Sequence, residues 1–417
     1  MLPGLIKDAQ SDHLINCLIP ATVALHLSRD TREIGLLALF AWIVLQLLNR
    51  IITLNRQKCP HETWLSWSVI LGLLLFNVRN IVLRDDYRGP VLVLLIGIGL
   101  LLGSQFSQRQ WRNLLAWLAV SILPIGLFFT IQLGLRGDWS ISSIFSTYYE
   151  LVKPSMGSIN RLATLSTFLT LAAWYSSTIS RSRWGQAANL VFAIIGYWIV
   201  LGTDSRMAIS AVPVAILLPW LGLRLYQRFS IKQWLSAILG ATALLAVGAW
   251  EIVVKSGIES DTQRLRIASC WIRKGMFRST ERFWMGSGFN TDSISEACES
   301  IRPGNPFGHA HNTLAQIAGN HGLLGLIGLL AFTAVIVHGL WRQLPREQHR
   351  LDWSPWNSTE WGEISLGLNL ALLFCALSTT VQEFSPVNQL LIGLVAGSAC
   401  VAMPAEFRPG MTENRDS

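Results

Sequence analysis

The chain contains 417 residues, of which 51% are hydrophobic and 14% are charged, and its formal net charge is +8. Soluble proteins carry about 25% charged residues, so this composition excludes a soluble globular protein. Several apolar runs reach the ~20 residues that a helix needs to cross a bilayer, whereas a β-barrel would show short alternating segments. We therefore predict an all-α polytopic membrane protein. Loop arginines that set topology explain the positive charge, so no nucleic-acid partner is expected.

In chain order, the apolar runs predict about twelve transmembrane helices. The predicted spans are residues 14–28, 33–52, 64–83, 89–106, 112–134, 159–179, 187–203, 207–224, 232–252, 313–340, 364–381 and 386–403. Pro20 and His26 interrupt the first of them. Residues 1–27 lack a strongly basic start and a small-residue cleavage site, so we expect no signal peptide.

The distribution of Lys and Arg predicts the orientation of these spans. With both termini in the cytoplasm, the inner connections carry about twice as many Lys and Arg residues as the short outer connections. The long polar interval before the tenth span then lies outside the cytoplasm. The predicted organisation is nine helices in 1–252, an extracytoplasmic loop with short helices in 253–312, three helices in 313–403 and a polar cytoplasmic tail in 404–417.

Six cysteines are spread along the chain. Cys17, Cys375 and Cys400 lie in apolar runs, where we expect them to be small buried hydrophobic residues. Cys270 and Cys298 fall in the same extracytoplasmic loop, so a disulfide between them and two separate thiols are both open alternatives.

Basic residues near the outer ends of the spans are the first candidates for chemistry. Arg206 follows Thr203-Asp204-Ser205 in a tight outer turn, and Arg161 stands two residues inside its span. Charged groups at such positions are expensive, which favours a function. The alternative for Arg206 is a guanidinium that binds lipid headgroups or pairs with Asp204.

Two arginines and two histidines of the 253–312 loop are further candidates for chemistry. Arg264 and Arg266 carry the planar guanidinium that grips a diphosphate best, although loop arginines are usually solvated. His311 at a helix start can accept a proton near neutral pH, and Asn312 can cap that helix or orient a substrate. His309 and His311 have no nearby Cys or acidic residue in the sequence, so no metal site is predicted.

Glycines around these histidines have structural explanations. Gly286-Ser287-Gly288 predicts a tight turn and not a nucleotide-binding loop. Gly319, Gly322, Gly325 and Gly328 line part of one helix face, which is typical of close helix packing.

These residues together resemble the O-antigen ligase/polymerase family of bacterial envelope glycosyltransferases. His311-Asn312, nine residues and then Gly322-Leu323-Leu324-Gly325 are similar to the family's His-[Asn/Ser/Arg]-x9-Gly-x-x-Gly signature. The turn before Arg206 resembles the family's Ser-Arg turn, and Arg264 with the later Gly286-Ser287-Gly288 resembles the start of its long periplasmic loop. The twelve-span layout agrees as well.

The resemblance implies a GT-C-like membrane glycosyltransferase in the bacterial inner membrane, with its active site on the periplasmic side. Such enzymes transfer a glycan from undecaprenyl pyrophosphate to a hydroxyl of lipid A-core or of another glycan, without metal or other cofactor. Carried over to this chain, Arg206 and Arg264 would neutralise the pyrophosphate, and His311 would deprotonate or orient the acceptor hydroxyl. Arg161, Arg266, His309 and Asn312 are further candidates for substrate binding.

The resemblance leaves alternatives open. The family loop often has Trp four residues after its arginine, where this chain has Ala268 and then Trp271, so the loop arginine is Arg264 or Arg266. His309 is a second candidate base. Ligase and polymerase activity both fit. A solute or inorganic-carbon transporter is disfavoured because the charges cluster at the outer rim and not at mid-membrane. A non-catalytic assembly component of the same fold would tolerate inactivating substitutions.

Overall fold

The structure is a computed structural model of the chain that describes most of the predicted spans and much of the loop. The described residues are 13–27, 31–54, 88–136, 159–203, 205–226, 259–288, 292–301, 310, 312–343, 361–378 and 386–401. Within these ranges the regular structure is helical and no strand occurs, which confirms the all-α prediction. The predicted spans 64–83 and 232–252, Cys59 and the 404–417 tail lie outside the described residues.

Fourteen α-helices and one 3₁₀ turn are described. In chain order the helices are α1 (Leu18–His26), α2 (Arg32–Leu54), α3 (Arg88–Gln105), α4 (Gln108–Val120), α5 (Ile122–Arg136), α6 (Ile159–Ile179), α7 (Arg183–Gly202), α8 (Arg206–Tyr226), α9 (Glu259–Gly275), α10 (Thr280–Met285), α11 (Asp292–Ala297), α12 (Thr313–Gln343), α13 (Trp361–Ser378) and α14 (Pro386–Ser398), with the 3₁₀ turn at Glu299–Ile301.

Within the described residues, three helical stretches are long and apolar enough to cross a membrane: Gln108–Ile131, Arg183–Gly202 and Thr313–Gln343. The first combines α4 and α5, where a single predicted span, 112–134, is divided at Ser121. The Ser121 N–H bonds to the carbonyls of Trp117 and Leu118, and Pro124 has no N–H for the next helical bond. Six other described spans form shorter apolar helices. Helix α6, which covers the predicted span 159–179, is in neither group.

Helix α6 is the centre of the bundle. Its residues from Leu162 to Ala173 are all buried, although several of them are Ser or Thr. Two of their hydroxyls are satisfied within the helix: Thr167 Oγ1 donates to the Ala163 carbonyl at 2.8 Å, and Thr170 Oγ1 to the Ser166 carbonyl at 2.6 Å. Helices α4, α7 and α8 pack around it. This internal bonding lets a polar helix lie in an apolar core.

Helices α3 and α14 pack face to face through two pairs of glycines. Gly99 and Gly103 lie against Gly393 and Gly397, each pair spaced four residues apart. A Cβ atom on Gly393 would lie 2.8 Å from the Leu100 nitrogen, and one on Gly103 would lie 3.1 Å from the Leu394 Cα. The backbones are therefore in direct contact, as small-xxx-small motifs allow. Gly99 lies against Gly393 and Gly103 lies against Gly397, so residue numbers increase in the same direction along both helices and the helices are parallel.

Contacts at the helix ends show which helices share a direction. The Asn388 amide at the start of α14 donates to the Arg161 carbonyl at the start of α6, at 3.0 Å. At the opposite end, the Gln343 amide at the end of α12 donates to the carbonyls of Ser398 and Ala399, at 2.9 and 2.8 Å. The first residues of α6, α12 and α14 therefore lie at the same end of the bundle.

The cysteines depart in part from expectation. Cys375 is buried, as predicted, but Cys17 is exposed and Cys400 is half-buried. The expectation for Cys17 was wrong because an apolar run does not reveal which helix face meets protein. Its neighbour Asn16 occupies the buried face, where its Oδ1 accepts bonds from Trp42 at 3.1 Å and from Gln46 at 2.9 Å.

Candidate functional site

Helix α12 is bent at Gly322, within the stretch that resembles the family signature. Gly322 has φ 61° and ψ −153°, which is not helical. A positive φ is accessible to glycine at little cost. A Cβ atom there would lie 2.7 Å from the Gly286 nitrogen and from the Phe283 carbonyl oxygen. Gly322 therefore makes both the bend and the close approach of the loop possible.

The loop occupies the carbonyl groups that this bend leaves available. The Ser287 N–H donates to the Gly319 carbonyl at 2.9 Å, and the Gly288 N–H donates to the Asn320 carbonyl at 2.8 Å. Gly286 and Gly288 both have positive φ, of 67° and 83°, which confirms the tight turn predicted there. The glycines of the turn and of α12 thus fit together as a backbone-to-backbone contact.

Trp271 fixes the loop to the same part of α12. It is fully buried, and its Nε1 donates to Asn320 Oδ1 at 3.1 Å. Gly319 lies directly against its indole ring and against Gly275. The packing predicted for the glycines of α12 is therefore confirmed at Gly319 and Gly322, although their partners are loop helices.

The loop helices and the start of α12 form a small hydrophobic core of their own. Its buried members are Ile267, Trp271, Ile294, Cys298, Ala310 and Ala315. A disulfide joins Cys298 of this core to Cys270, which packs against it, and this decides between the two alternatives left open by the sequence. We call this unit the loop module and define it as residues 259–288, 292–301, Ala310 and 312–321.

Hydrogen bonds hold the chain on both sides of His311. The N–H of Ala310 donates to Gln316 Oε1 at 2.6 Å, and both residues are fully buried. On the other side, Asn312 Oδ1 accepts the Ala315 N–H at 3.0 Å, and its carbonyl accepts the Gln316 N–H at 2.9 Å. Asn312 is thus the N-cap of α12, as its sequence position predicted.

Two of the predicted arginines lie on neighbouring helix starts. Arg161 is in the first turn of α6 and is half-buried, and Arg206 is the first residue of α8. The first turns of α6 and α8 meet the end of α7 in a cluster of Ala163, Val200 and Ala208. The backbone positions of Arg161 and Arg206 are therefore close, at the end of the bundle where α12 also begins. The Arg206 side chain is outside the described part.

The remaining candidates lie in or beside the loop module. Arg264 and Arg266 belong to α9, and Arg266 is exposed. His309, His311 and the side chain of Arg264 lie outside what the structure describes. Within the described ranges, no three His, Cys, Asp or Glu side chains group as metal ligands would.

Two residues of this region were not predicted. Gln316 and Asn388 are buried amides, and each holds a backbone group next to a candidate residue, Ala310 before His311 and Arg161 itself. The available signal was an amide side chain in an otherwise apolar helix start, where burial without a partner would be costly.

The arrangement can recognise an anionic group at one end of the bundle. Helix starts carry partial positive charge. The starts of α6, α8 and α12 all lie at that end, and the half-buried Arg161 adds a guanidinium group to it.

Comparison with known proteins agrees with the signature. Residues 188–330 match the family model described as O-Antigen ligase. The matched region runs from the first half of α7 through α8 and the loop module to the middle of α12. It therefore includes Arg206, Arg264, Arg266, His309, His311 and Asn312, whereas Arg161 precedes it. No curated protein matches the chain. Residues 188–330 are therefore similar to the O-antigen ligase family, and the resemblance that the sequence shows to this family is confirmed.

Proposed function

We propose that the protein is an O-antigen ligase-like glycosyltransferase of the bacterial inner membrane. It moves a glycan from undecaprenyl pyrophosphate to an acceptor hydroxyl, on lipid A-core or on another glycan, at the periplasmic face. The observation that carries the proposal is the family match over residues 188–330, which contains Arg206, Arg264 and His311. The shared end of α6, α8 and α12 supports a single site for these groups.

The proposed step is a substitution at the anomeric carbon of the donor sugar. The acceptor oxygen forms the new glycosidic bond, and the bond between that carbon and the pyrophosphate oxygen breaks. His311 accepts the hydroxyl proton or orients the hydroxyl. Arg206 and Arg264, or Arg266 in place of Arg264, neutralise the charge that develops on the departing pyrophosphate. Arg161, His309 and Asn312 bind or orient the substrates.

The proposed reaction needs no metal ion, because arginine side chains neutralise the leaving group. A pyrophosphate leaves readily once its negative charge is matched, and guanidinium groups that cannot deprotonate supply that match at any physiological pH. The proposed layout has twelve spans, with residues 253–312 on the periplasmic side and both termini in the cytoplasm. In that layout α6, α8 and α12 all begin on the periplasmic side, which agrees with their common direction in the bundle.

The test is glycan transfer by purified protein reconstituted with a lipid-linked glycan donor and an acceptor. We expect His311→Ala and Arg206→Ala to remain folded and inserted but to lose transfer by at least about 100-fold, the effect of removing a general base or a charge-stabilising group. Transfer at the wild-type rate by both variants would contradict the proposal, and would favour a non-catalytic component.

Ligase and polymerase activities are distinguished by the surface polysaccharide of a deletion strain. Loss of a ligase leaves polymer on its lipid carrier, and loss of a polymerase leaves single repeat units. Uptake of solute into liposomes by the purified protein would instead support the transporter alternative.

A further inference from the structure

The bend at Gly322 marks one surface of the membrane along α12. Residues 313–321 are almost all buried within protein. The eighteen residues from Leu323 to Leu340 are apolar except for Thr333 and His338, and they rise about 27 Å, close to the ~30 Å of a hydrocarbon core. Trp341, 67% exposed, and the exposed Arg342 follow directly, as residues at a membrane surface do. Gly322 then lies at the opposite surface.

The chain from Arg273 to Met285, which we call the interfacial turn, is held at this level. Gly275 lies against Gly319. The Phe283 carbonyl oxygen and the Gly286 nitrogen lie against Gly322, so the turn cannot move along α12 without breaking the backbone contact. Its height above the membrane is therefore set by the bend.

The interfacial turn exposes aromatic side chains that protein does not cover. Phe277 is 62% exposed and Trp284 is 46% exposed. Phe283 lies between them, with ring centroids 5.9 Å from Phe277 and 5.5 Å from Trp284. Three neighbouring rings thus form one partly exposed apolar surface. Exposed aromatic groups at this height are typical of the headgroup layer.

Basic residues surround these rings. Arg273, Lys274 and Arg278 are exposed, and Glu281 is the one exposed acidic residue within the turn. Arg282 is oriented by its own bond to the Lys274 carbonyl, at 3.2 Å. The exposed charge is therefore positive overall and lies beside apolar rings, which complements a surface of lipid phosphates above acyl chains.

We propose that the interfacial turn docks on anionic phospholipid headgroups. Phe277 and Trp284 enter the boundary between headgroups and acyl chains, and Arg273, Lys274 and Arg278 bind the lipid phosphates. Phospholipid is the occupant because the cations are spread over an exposed surface and do not converge on an enclosed cavity, as a single pyrophosphate would require. This anchor holds the loop module against the membrane, independently of the reaction that the protein catalyses.

The test places the photoreactive residue p-benzoylphenylalanine in place of Phe277 or Trp284, in protein reconstituted into nanodiscs. Leu265, which is 72% exposed on α9, is the matched control site, because it lies ten residues, or about 15 Å of helix, beyond Gly275. After irradiation, mass spectrometry detects the peptide with phospholipid attached. We expect about five-fold more lipid attachment at positions 277 and 284 than at 265.

A second arm tests the basic residues. Phosphatidylglycerol added to phosphatidylcholine nanodiscs should raise attachment at position 277 about two-fold or more, and Arg273→Gln, Lys274→Gln and Arg278→Gln together should abolish that increase. An intact Cys270–Cys298 disulfide shows that the variants are folded. Equal attachment at 265 and 277 would overturn the proposal, as would an effect of phosphatidylglycerol that survives the triple substitution. Loss of attachment on adding pyrophosphate would assign the surface to the donor instead.

Discussion

The buried amide of Gln316 holds the backbone next to His311, a candidate catalytic residue. Its Oε1 accepts the Ala310 N–H, and Ala310 in turn belongs to the hydrophobic core of the loop module. His311 follows Ala310 directly, and Asn312 after it caps α12. The backbone on each side of His311 is therefore fixed by a separate interaction, so small changes at Gln316 should displace the histidine.

We expect Gln316→Met to lower kcat for glycan transfer by about 10- to 100-fold, because a displacement of about 1 Å at a reacting group has an effect of this size. Methionine has a similar length but offers the Ala310 N–H no strong acceptor. Binding of the donor should change little, so KM should stay near its wild-type value. Steady-state kinetics of the reconstituted protein measure both constants.

Gln343→Met is the matched control for this prediction. Gln343 is the buried glutamine at the far end of α12, where it bonds to the carbonyls of Ser398 and Ala399. Its loss should cost about 1–3 kcal/mol of stability without lowering kcat. Similar losses of kcat in both variants would show that α12 needs a buried amide for stability only.

Some of these residue roles could be predicted from the sequence and others could not. The cap at Asn312 and the turn at Gly286-Ser287-Gly288 depend on neighbouring residues, so local pattern was sufficient. The role of Gln316 depends on a backbone group six residues earlier that the loop module brings back toward the helix. Such a return of the chain leaves no periodic signal.

At the scale of elements, the bend in α12 separates a part that packs on the loop helices from a longer part that is apolar enough to cross a membrane. Gly322 is the residue that allows both. Its φ of 61° strains any other residue, and the loop backbone occupies the space of a side chain. The signature glycine is thus explained by backbone geometry at this position.

We expect Gly322→Ala to destabilise the protein by about 2–4 kcal/mol, from the positive φ and from overpacking against the loop. Gly222→Ala in α8 is the control, because no atom lies within 4 Å of the Cβ it would add. Alanine should there be neutral or slightly stabilising. Thermal unfolding of both variants in detergent would measure the difference, and equal unfolding temperatures would contradict this account of the bend.

The contact between α3 and α14 makes a second prediction at this scale. Gly393→Leu should separate the two backbones and lower stability by several kcal/mol, since its side chain would meet the Leu100 backbone. Gly222→Leu again serves as the control. Normal yield and unfolding temperature for Gly393→Leu would show that this interface can open without cost.

Helix positions were largely predictable from hydropathy, while their partners were not. The span predicted for 159–179 coincides with α6. The division of the 112–134 span at Ser121 was missed, because both parts are apolar and the break adds no polar segment. The glycines of α3 and α14 lie nearly 300 residues apart in sequence, so no local pattern could pair them.

At the scale of the whole molecule, the disulfide contributes to the stability of the loop module relative to the bundle. Cys270 and Cys298 are 28 residues apart, and a bridge over such a loop contributes about 3–4 kcal/mol. We expect the double variant Cys270→Ser and Cys298→Ser to loosen the loop module while the transmembrane bundle stays folded. Hydrogen exchange should therefore rise in α9 and α11 and stay unchanged in α6. A uniform rise would contradict the separation of the module from the bundle.

Composition predicted the class of the whole molecule, and the His–Gly signature with three further features predicted the family that residues 188–330 match. The packing of the loop helices on the start of α12 could not be predicted, because it depends on contacts between glycines, an indole and a buried amide from separated segments. Those contacts hold the start of α12 against the loop. Because α6, α12 and α14 run in the same direction, the start of α12 lies at the end of the bundle where the backbones of Arg161 and Arg206 lie.

The central claim is that Arg206 and His311 act in one site. Cysteines in place of both residues, in a background without the free native cysteines, can be tested in membranes with a short bifunctional maleimide. We predict efficient crosslinking between positions 206 and 311, and little between 311 and a cysteine at position 224, near the opposite end of α8. Equal crosslinking in the two pairs, or none at 206 and 311, would contradict the account.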